Sequence, residues 1–391
     1  MDRYAADRIR PFGTSVFTEM TRLSIEHQAI NLGQGFPDFA GPDFVKEAAK
    51  AAIDANLNQY APSHGIPRLR AAIAASFEKR TGIAVDVERD ITVTSGATEC
   101  IYDSIQAFLN PGDEIIFFEP FYDSYYASAV MAGAVPRPVR LHAPDWSFDE
   151  DELRRTFNDR TRLLLLNTPH NPTGKVFTRT ELETIAALCI EHDVVVLADE
   201  VYERILFDGA RHISIATLPG MWERTLTINS TAKTFSMTGW KIGYAVGPAN
   251  LNAALRAVHQ FVTFASQTPF QDAMASALET AEERGYYAEL AAAYISRRDA
   301  MKKAIEDAGF SVLPAAGAYF LMADPGDRHF ERDMDFCFWL IREAGVTTVP
   351  PSAFYADPEG TPVLARFCFA KKSATIAAAA ERLARLATVS R

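Results

Sequence analysis

Five short apolar runs, separated by amphipathic stretches, divide the middle of this 391-residue chain. The runs cover residues 91–94, 114–118, 163–166, 194–198 and 226–228. Most of them are apolar at successive residues rather than at every second one, which is typical of strands buried on both faces of a parallel sheet. Between two of the runs, Thr178 and Glu181 have the spacing of a helix-capping box. The pattern predicts an α/β fold in which a mostly parallel sheet is flanked by helices.

The length of the chain and a change of pattern near residue 286 predict two domains, since 391 residues exceed one simple core. We expect a large α/β domain over residues 40–285. The rest of the chain has an alanine-rich helical stretch and three strand-like pieces, at residues 286–308, 310–313, 318–322 and 365–370. These pieces suit a smaller α+β domain, which we expect to comprise residues 1–39 and 286–391.

Composition and charge exclude several classes of protein. The formal net charge of -11 argues against a nucleic-acid-binding surface, which needs a basic stripe. No apolar run approaches the roughly 20 residues of a membrane span, and residues 1–7 lack the apolar stretch of a signal peptide. The cysteines are scattered without the spacing of a zinc site or a disulfide framework, at Cys100, Cys189, Cys337 and Cys368. We therefore expect a cytoplasmic protein with reduced thiols, no metal, and neither a membrane nor a nucleic acid as partner.

The residue that carries most chemical information is Lys233, which lies among small and hydroxylated side chains ahead of a second cation, Lys241. Asn171 stands upstream, and Asp199 and Tyr202 follow the apolar run that ends at residue 198. Ligands of open α/β sheets bind at such strand ends. An amine, an acid, hydrogen-bond donors and a phosphate-binding cation are the groups that pyridoxal 5′-phosphate (PLP) requires. The sequence thus predicts a PLP site.

A phosphate site is also expected after the run at residues 91–94, where Gly96, Ala97 and Thr98 form a tight turn and begin a helix. Free backbone amides at a helix N-terminus bind anions. The pair Gly33 and Gly35 resembles the start of a dinucleotide-binding fingerprint, but no third glycine follows, so we reject a Rossmann site.

These motifs, in this order, resemble the class I and II aminotransferases of fold type I, and within them the kynurenine–glutamine transaminase and methionine aminotransferase branch. The resemblance extends from about residue 10 to residue 385, and it implies that the mostly parallel sheet is of the seven-stranded type. It implies that Lys233 forms the Schiff base with the cofactor and later moves the substrate proton. It also implies that Lys241 binds the phosphate and that Asp199 pairs with the pyridine nitrogen.

Further cofactor contacts follow from the same resemblance. Tyr122 corresponds to the aromatic residue that stacks on the ring, where phenylalanine or tryptophan is more common. Tyr202 and Asn171 correspond to the donors to the ring oxygen, and Ser230 opens the signature that contains the lysine. Tyr60 matches the tyrosine that reaches the phosphate of the partner subunit, which implies a homodimer with shared active sites. Thr98 and the adjacent Glu99 depart from the usual phosphate turn, so the contacts there stay open.

The substrate contacts implied by the resemblance combine one arginine with an aromatic pocket. Arg366 lies in an apolar run, where an unpaired guanidinium is costly to bury, and it would bind the substrate α-carboxylate together with Gly35 and Asn171. Phe17, Tyr122 and Phe264 would line the side-chain pocket. Residues 260–266 contain no cation where aspartate aminotransferases hold a second carboxylate.

The resulting hypothesis is a PLP-dependent aminotransferase of the EC 2.6.1 type. It would exchange an amino group between a 2-oxo acid and an L-amino acid with a neutral, apolar or aromatic side chain, such as methionine, glutamine, kynurenine or an aromatic amino acid. Alternatives are a cysteine-S-conjugate β-lyase, an N-succinyldiaminopimelate aminotransferase that needs a pocket cation, and a pathway-specific biosynthetic aminotransferase. A transcription regulator with this type of domain would carry a DNA-binding domain ahead of residue 31, where only about 30 residues stand.

Overall fold

The structure is a computed structural model that describes residues 4–388. Residues 1–3 and 389–391, which the expected smaller domain includes, lie outside the described part. The α-helices of the described part are α1 Val16–Glu26, α2 Asp43–Asp54, α3 Pro67–Thr81, α4 Ala97–Phe108, α5 Asp123–Met131, α6 Glu150–Thr156, α7 Arg179–Glu191, α8 Thr231–Thr234, α9 Ala249–Val262, α10 Thr268–Thr280, α11 Tyr286–Asp307, α12 Asp333–Trp339 and α13 Ser373–Ala384. The strands are β1 Ile30–Asn31, β2 Ile91–Thr94, β3 Glu114–Glu119, β4 Val135–His142, β5 Ser147–Phe148, β6 Thr161–Asn167, β7 Val195–Asp199, β8 Thr225–Ser230, β9 Gly243–Val246, β10 Ser311–Val312, β11 Phe320–Asp324, β12 Val346–Thr347 and β13 Ala365–Cys368.

Eight strands form one large sheet in the order β2-β9-β8-β7-β6-β3-β4-β5. The five strands from β8 to β4 are parallel to one another, whereas β9 and the two-residue strand β5 run antiparallel to their neighbours. The prediction of a mostly parallel sheet is therefore confirmed. Because β6, β7 and β8 are parallel, their last residues, Asn167, Asp199 and Ser230, lie at the same edge of the sheet.

Helices cover both faces of this sheet. In β6, Leu164 belongs to an apolar cluster that contains Leu182 of α7, whereas its neighbour Leu163 belongs to a cluster that contains Ile101 of α4 and Leu255 of α9. Successive residues of one strand thus enter opposite cores, as the period of two requires. This double burial explains why the strand sequences are apolar at successive positions.

The predicted capping box is present at the start of α7. The side chain of Thr178 accepts a hydrogen bond from the backbone N–H of Glu181, and the Glu181 carboxylate accepts one from the Thr178 N–H at 2.8 Å. Two backbone donors that the helix leaves free are satisfied in this way. The cap fixes where α7 begins as the chain leaves the sheet edge at β6.

A second, antiparallel sheet is formed by β10, β11 and β13 near the end of the chain. Helices α11 and α13 contribute to the apolar core beside it, for example through Ile305 and Leu383. Strand β1 pairs in parallel with β12, so the N-terminal residues join this region. The backbone N–H of Cys368 donates to the carbonyl of Leu32 at 2.7 Å, which places the loop after β1 beside β13.

None of the helices in residues 4–388 combines the length and the apolarity that crossing a bilayer requires.

Candidate active site

A cavity of about 380 Å³ opens where the carboxyl edge of the large sheet meets the region around β1, β11 and β13. Thirteen of the residues singled out from the sequence line it. They are Phe17, Gly35, Gly96, Ala97, Thr98, Tyr122, Asn171, Asp199, Tyr202, Ser230, Lys233, Lys241 and Arg366. Residues that are far apart in the sequence, from both sheets, therefore meet in one pocket.

Lys233 lies in the short helix α8, directly after β8. The hydroxyl of Ser230 caps this helix by accepting from the N–H of Ala232 at 3.1 Å. The Lys233 Nζ donates a hydrogen bond to the hydroxyl of Tyr319 at 2.8 Å. Burial lowers the pKa of Lys233 to about 8, and the nearby cations Lys241 and Arg366 act in the same direction. Roughly a tenth of the amine is therefore neutral at pH 7, and able to act as a nucleophile or base, against well under a thousandth for an ordinary lysine.

Asp199 ends β7 with its carboxylate buried in the pocket wall. The hydroxyl of Tyr125, in α5, donates to its Oδ2 at 2.6 Å, and the backbone N–H of Val201 donates to Oδ1 at 3.3 Å. Burial raises the pKa of Asp199 to about 6, against the opposing effect of the Tyr125 hydrogen bond. A positive charge placed beside this carboxylate would offset the burial and keep it ionised.

The turn before α4 is shaped to receive an anion. Gly96 has a φ of +87°, and a Cβ there would lie 3.0 Å from the Nζ of Lys241. The backbone of this turn is also packed against Gly243, where a Cβ would come within 2.3 Å of the Gly96 carbonyl carbon. The first-turn amides of α4, from Ala97 onward, and the Lys241 ammonium thus converge on one corner of the pocket.

Behind this turn lies a buried ion cluster that the sequence did not indicate. The Glu99 carboxylate accepts from the N–H of Ser95 and lies 2.8 Å from the Nδ1 of His259, whose Nε2 lies 2.8 Å from the carbonyl of Ser63. Burial opposes a charge on His259, but the carboxylates of Asp103 and Glu99 outweigh it and raise the pKa of His259 to about 9. The imidazolium therefore ties the turn to α9 and to the loop at Ser63.

Arg366, in β13, is 1% exposed and reaches into the pocket from the second sheet. Its Nη1 donates to the side-chain oxygen of Asn171 at 3.0 Å, and its Nη2 donates to the carbonyl of Gly33 at 2.8 Å. Its Nε has no protein partner among the described residues. A buried guanidinium with an unused donor is the arrangement that a carboxylate ligand completes.

Aromatic rings surround this arginine. The guanidinium carbon lies 4.2 Å from the ring centre of Phe320, 4.9 Å from that of Phe354 and 5.4 Å from that of Phe17. Tyr122 lies elsewhere in the same pocket wall and packs edge-on against Tyr125 at 5.6 Å. The space next to Arg366 is therefore mostly apolar.

Two residues singled out from the sequence do not line this pocket. Tyr60 is 84% exposed and Phe264 is 39% exposed. Their rings touch each other edge-on, with centres 5.3 Å apart, on the surface of the chain. The pocket that a single chain forms therefore contains Phe17 and Tyr122 without Phe264, and the contribution of Tyr60 and Phe264 to a neighbouring subunit stays a prediction.

The residues that are present fit the cofactor expected from the sequence. The pocket holds an amine at Lys233, a buried acid at Asp199 and an anion-shaped corner at Gly96 and Lys241. Tyr125 and Tyr319, which hold Asp199 and Lys233, were missed by the sequence reading. Neither stands in a motif, and a buried tyrosine in a helix or just before a strand gives no signal that separates it from a core residue.

Comparisons with known proteins agree with this geometry. A family model described as aminotransferase class I and II matches residues 27–383. A probable N-succinyldiaminopimelate aminotransferase from Mycobacterium tuberculosis is 43% identical over 391 residues, covering 97% of this chain and 98% of that protein. Kynurenine–oxoglutarate transaminase 1 from Mus musculus is 41% identical over 409 residues, covering 97% of this chain and 96% of that protein.

A solved structure from Escherichia coli, described as having a methionine aminotransferase function, superposes with a TM-score of 0.94. The two sequences are 41% identical, and the match covers 98% of this chain and 100% of that one.

Proposed function

The chain belongs to the class I and II aminotransferases, and we propose that its amino donors are amino acids with neutral, apolar or aromatic side chains. The acceptor is a 2-oxo acid. The choice of donor rests on one observation. Aromatic rings wall the pocket beside Arg366, and the other two cations of the pocket, Lys233 and Lys241, are assigned to the cofactor. The names of the relatives, which include a methionine aminotransferase and a kynurenine transaminase, support the same class of donor.

We assign the cofactor-holding residues from their positions in the pocket. Lys233 would hold PLP covalently, Asp199 would pair with the pyridine nitrogen, and Tyr122 would pack on the ring. The amides of Gly96, Ala97 and Thr98, with Lys241 and the Ser230 hydroxyl, would bind the phosphate. Asn171 and Tyr202 would donate to the ring oxygen. When bound, PLP withdraws electrons from the substrate and so makes its Cα–H acidic.

The other steps are performed by side chains of the chain itself. Arg366 would bind the α-carboxylate with its free Nε and an Nη donor, and Gly35, which lines the same pocket, would contact the same carboxylate. This contact orients the Cα–H toward Lys233. The amine of Lys233 would then take up the proton from Cα and move it, a role that its lowered pKa of about 8 favours.

Electrostatics separate neutral donors from acidic ones. Among the described residues that line the pocket, the positively charged side chains are Lys233, Lys241 and Arg366. The proposed roles occupy all three, which leaves none to pair with a second substrate carboxylate. An aspartate side chain would therefore be desolvated without a partner. An apolar side chain of methionine size would gain about 2 kcal/mol from burial, or about thirtyfold in specificity over a small one.

We therefore expect kcat/KM for methionine, glutamine or an aromatic amino acid to exceed that for aspartate at least about tenfold. A panel of amino-acid half-reactions, followed by the absorbance of the cofactor, measures this ratio. Phe17→Ala should lower kcat/KM for large apolar donors and leave that for alanine nearly unchanged. In contrast, Arg366→Ala should weaken all donors, since every one has an α-carboxylate. Aspartate as the best donor would contradict the assignment of the pocket.

A second candidate donor is N-succinyldiaminopimelate, which the relative from Mycobacterium tuberculosis favours. This substrate carries a distal carboxylate and would need a cation that residues of a second subunit would have to supply. Adding it to the same panel decides between the candidates, because a higher kcat/KM than that of methionine would show that it is the preferred donor. An S-aryl-cysteine in the panel tests for the β-lyase, since elimination releases pyruvate whereas transamination does not.

We also infer that the chain acts as a homodimer in which each active site receives residues from both subunits. Tyr60, Phe261 and Phe264 expose large aromatic surfaces close together in the chain's fold, with Phe261 88% exposed. Exposed aromatic clusters are typical of protein interfaces. A second copy that covered this surface would bury it and bring Tyr60 and Phe264 toward the neighbouring pocket.

Complementation between two inactive chains tests the shared site. Mixing a Tyr60→Ala chain with a Lys233→Ala chain should produce heterodimers in which one site carries both defects and the other carries neither. These heterodimers should recover about half of the activity of the wild-type dimer, because one of two sites is intact. Refolding each variant alone is the control. A mixture that stays as inactive as its parents, although heterodimers form, would show that Tyr60 acts within its own chain.

Cytoplasmic location is part of the same proposal. The four cysteines of the chain are free and buried, so no disulfide supports the fold.

A further inference from the structure

Tyr319 lies at the meeting point of the reactive lysine and the loop that faces the substrate. It directly precedes β11 and is fully buried. Its hydroxyl donates to the carbonyl of Gly35 at 2.6 Å and accepts from the Nζ of Lys233 at 2.8 Å. The same oxygen thus contacts the residue proposed to move the proton and the residue proposed to lie against the substrate carboxylate.

The polarity of these two hydrogen bonds is fixed by chemistry. A carbonyl oxygen only accepts, so the single proton of the Tyr319 hydroxyl is directed at Gly35. The oxygen can then only accept from Lys233, and it does so whether the lysine is an ammonium or a neutral amine. Tyr319 therefore holds one N–H of the amine and does not take a proton from it.

We propose that Tyr319 is the positioning residue that holds the Lys233 amine whenever this amine is not attached to the cofactor. The hydroxyl fixes the point from which Lys233 removes the substrate proton. A tyrosine that served only the packing of the core would be satisfied by the Gly35 carbonyl alone. Its second contact is with the one amine in the pocket that the reaction must release and recover.

Among the described groups around Lys233, the Tyr319 hydroxyl is the one that forms a hydrogen bond with the amine. The Nζ lies 5.4 Å from the ring centre of Tyr319 and 5.6 Å from that of Tyr202, so both rings confine it without a second hydrogen bond. The charged groups that act on the amine are Asp199, Lys241 and Arg366, whereas burial raises the pKa of the nearby Cys368 thiol, which is therefore neutral near pH 7. Removal of the Tyr319 hydroxyl would release the amine within a confined space rather than transfer it to another acceptor.

The first experiment measures the amine in the cofactor-free chain, where no substrate chemistry is involved. Reductive methylation with formaldehyde, followed by mass spectrometry of the Lys233 peptide, gives the rate at each pH. A hydrogen bond donated by the ammonium stabilises the charged form, so its loss in Tyr319→Phe should lower the pKa of Lys233 by about one unit. The methylation rate at pH 7 should then rise about fivefold, while the rates at high pH converge with those of the wild type.

Tyr294→Phe is the matched control, because its ring stacks on Tyr319 with centres 6.1 Å apart and it is equally buried. This variant should reproduce the wild-type methylation curve. A Tyr319→Phe curve that coincides with that of the wild type would overturn the proposal. If Tyr319→Phe fails to fold, a fluorinated tyrosine at position 319 keeps the shape, weakens the acceptor and should shift the curve in the same direction.

The second experiment rests on the proposed function and measures the proton step itself. With a donor deuterated at Cα, Tyr319→Phe should lower kcat about tenfold or more and increase the isotope effect, because a displaced amine slows proton removal. A rise in KM alone, with an unchanged isotope effect, would assign Tyr319 to the support of Gly35 and contradict the inference. A wild-type chain without transamination would refute the proposed function, yet the methylation result would still stand on its own.

Discussion

Replacing Lys233 with alanine should abolish transamination, with kcat reduced about ten-thousandfold or more. The pocket contains one other amine, that of Lys241, and it lies at the Gly96 corner, where a Cβ would be 3.0 Å from its Nζ. In the proposed site Lys241 binds the phosphate, so it is not expected to replace Lys233. Single-turnover absorbance measurements of each half-reaction give the rate directly.

Lys233→Arg is the control that separates charge from chemistry. It keeps a cation near Tyr319 and Asp199 and so preserves the electrostatics of the pocket, but a guanidinium neither attaches to the cofactor nor accepts a proton near neutral pH. This variant should be as inactive as Lys233→Ala while it retains more of the stability of the wild-type chain. Turnover by either variant at more than about one per cent of the wild-type rate would refute the role of Lys233.

The large sheet was predictable because its strands are buried on both faces. The run at residues 163–166 is apolar at successive positions, and the structure shows Leu163 and Leu164 entering different cores. Strand β4 escaped prediction, since it contains Pro136 and Pro138, which cannot donate to a sheet ladder. The two prolines are tolerated because the outer neighbour, β5, pairs only with the last two residues of β4, Leu141 and His142.

The sequence indicated some residues of the site and gave no sign of others. Asp199 was found because it ends an apolar run, and the carboxyl ends of parallel strands form the ligand-binding edge. Lys233 and Arg366 were found through motifs. Tyr125 contacts Asp199 through a hydrogen bond of 2.6 Å, and Tyr319 contacts Lys233 through one of 2.8 Å. Such contacts depend on how distant segments pack, which neither periodicity nor spacing records.

The ion cluster behind the phosphate turn shows the same limit. Glu99 was noticed only as a departure from a familiar turn, and His259 stands in an amphipathic helix where a lone histidine carries no signal. The structure joins them at 2.8 Å and adds the buried carboxylate of Asp103. A buried histidine between two acids retains its charge, whereas one in an apolar core loses it. The sequence alone does not distinguish the two environments.

Replacing Asp199 with asparagine should lower kcat about thousandfold while the chain folds normally. Asparagine has the same shape, and its side-chain oxygen still accepts from the Tyr125 hydroxyl, so packing at the end of β7 is kept. The variant lacks the carboxylate that would keep the pyridine nitrogen protonated. Without that proton, the ring stabilises the negative charge that develops at the substrate Cα only poorly. Half-reaction rates and the dissociation constant of the cofactor are the measurements.

Tyr125→Phe provides the graded comparison for this prediction. It removes one of the two hydrogen-bond donors that oppose the effect of burial on Asp199, so the pKa of Asp199 should rise further above about 6 and the carboxylate should be protonated more readily. Because a cationic partner still favours the ionised form, the loss of kcat should be smaller than in Asp199→Asn and largest at low pH, where the carboxylate takes up its proton. Half-reactions that are as fast in Asp199→Asn as in the wild type, at every pH, would remove Asp199 from the reaction and reduce its bond with Tyr125 to a feature of the core.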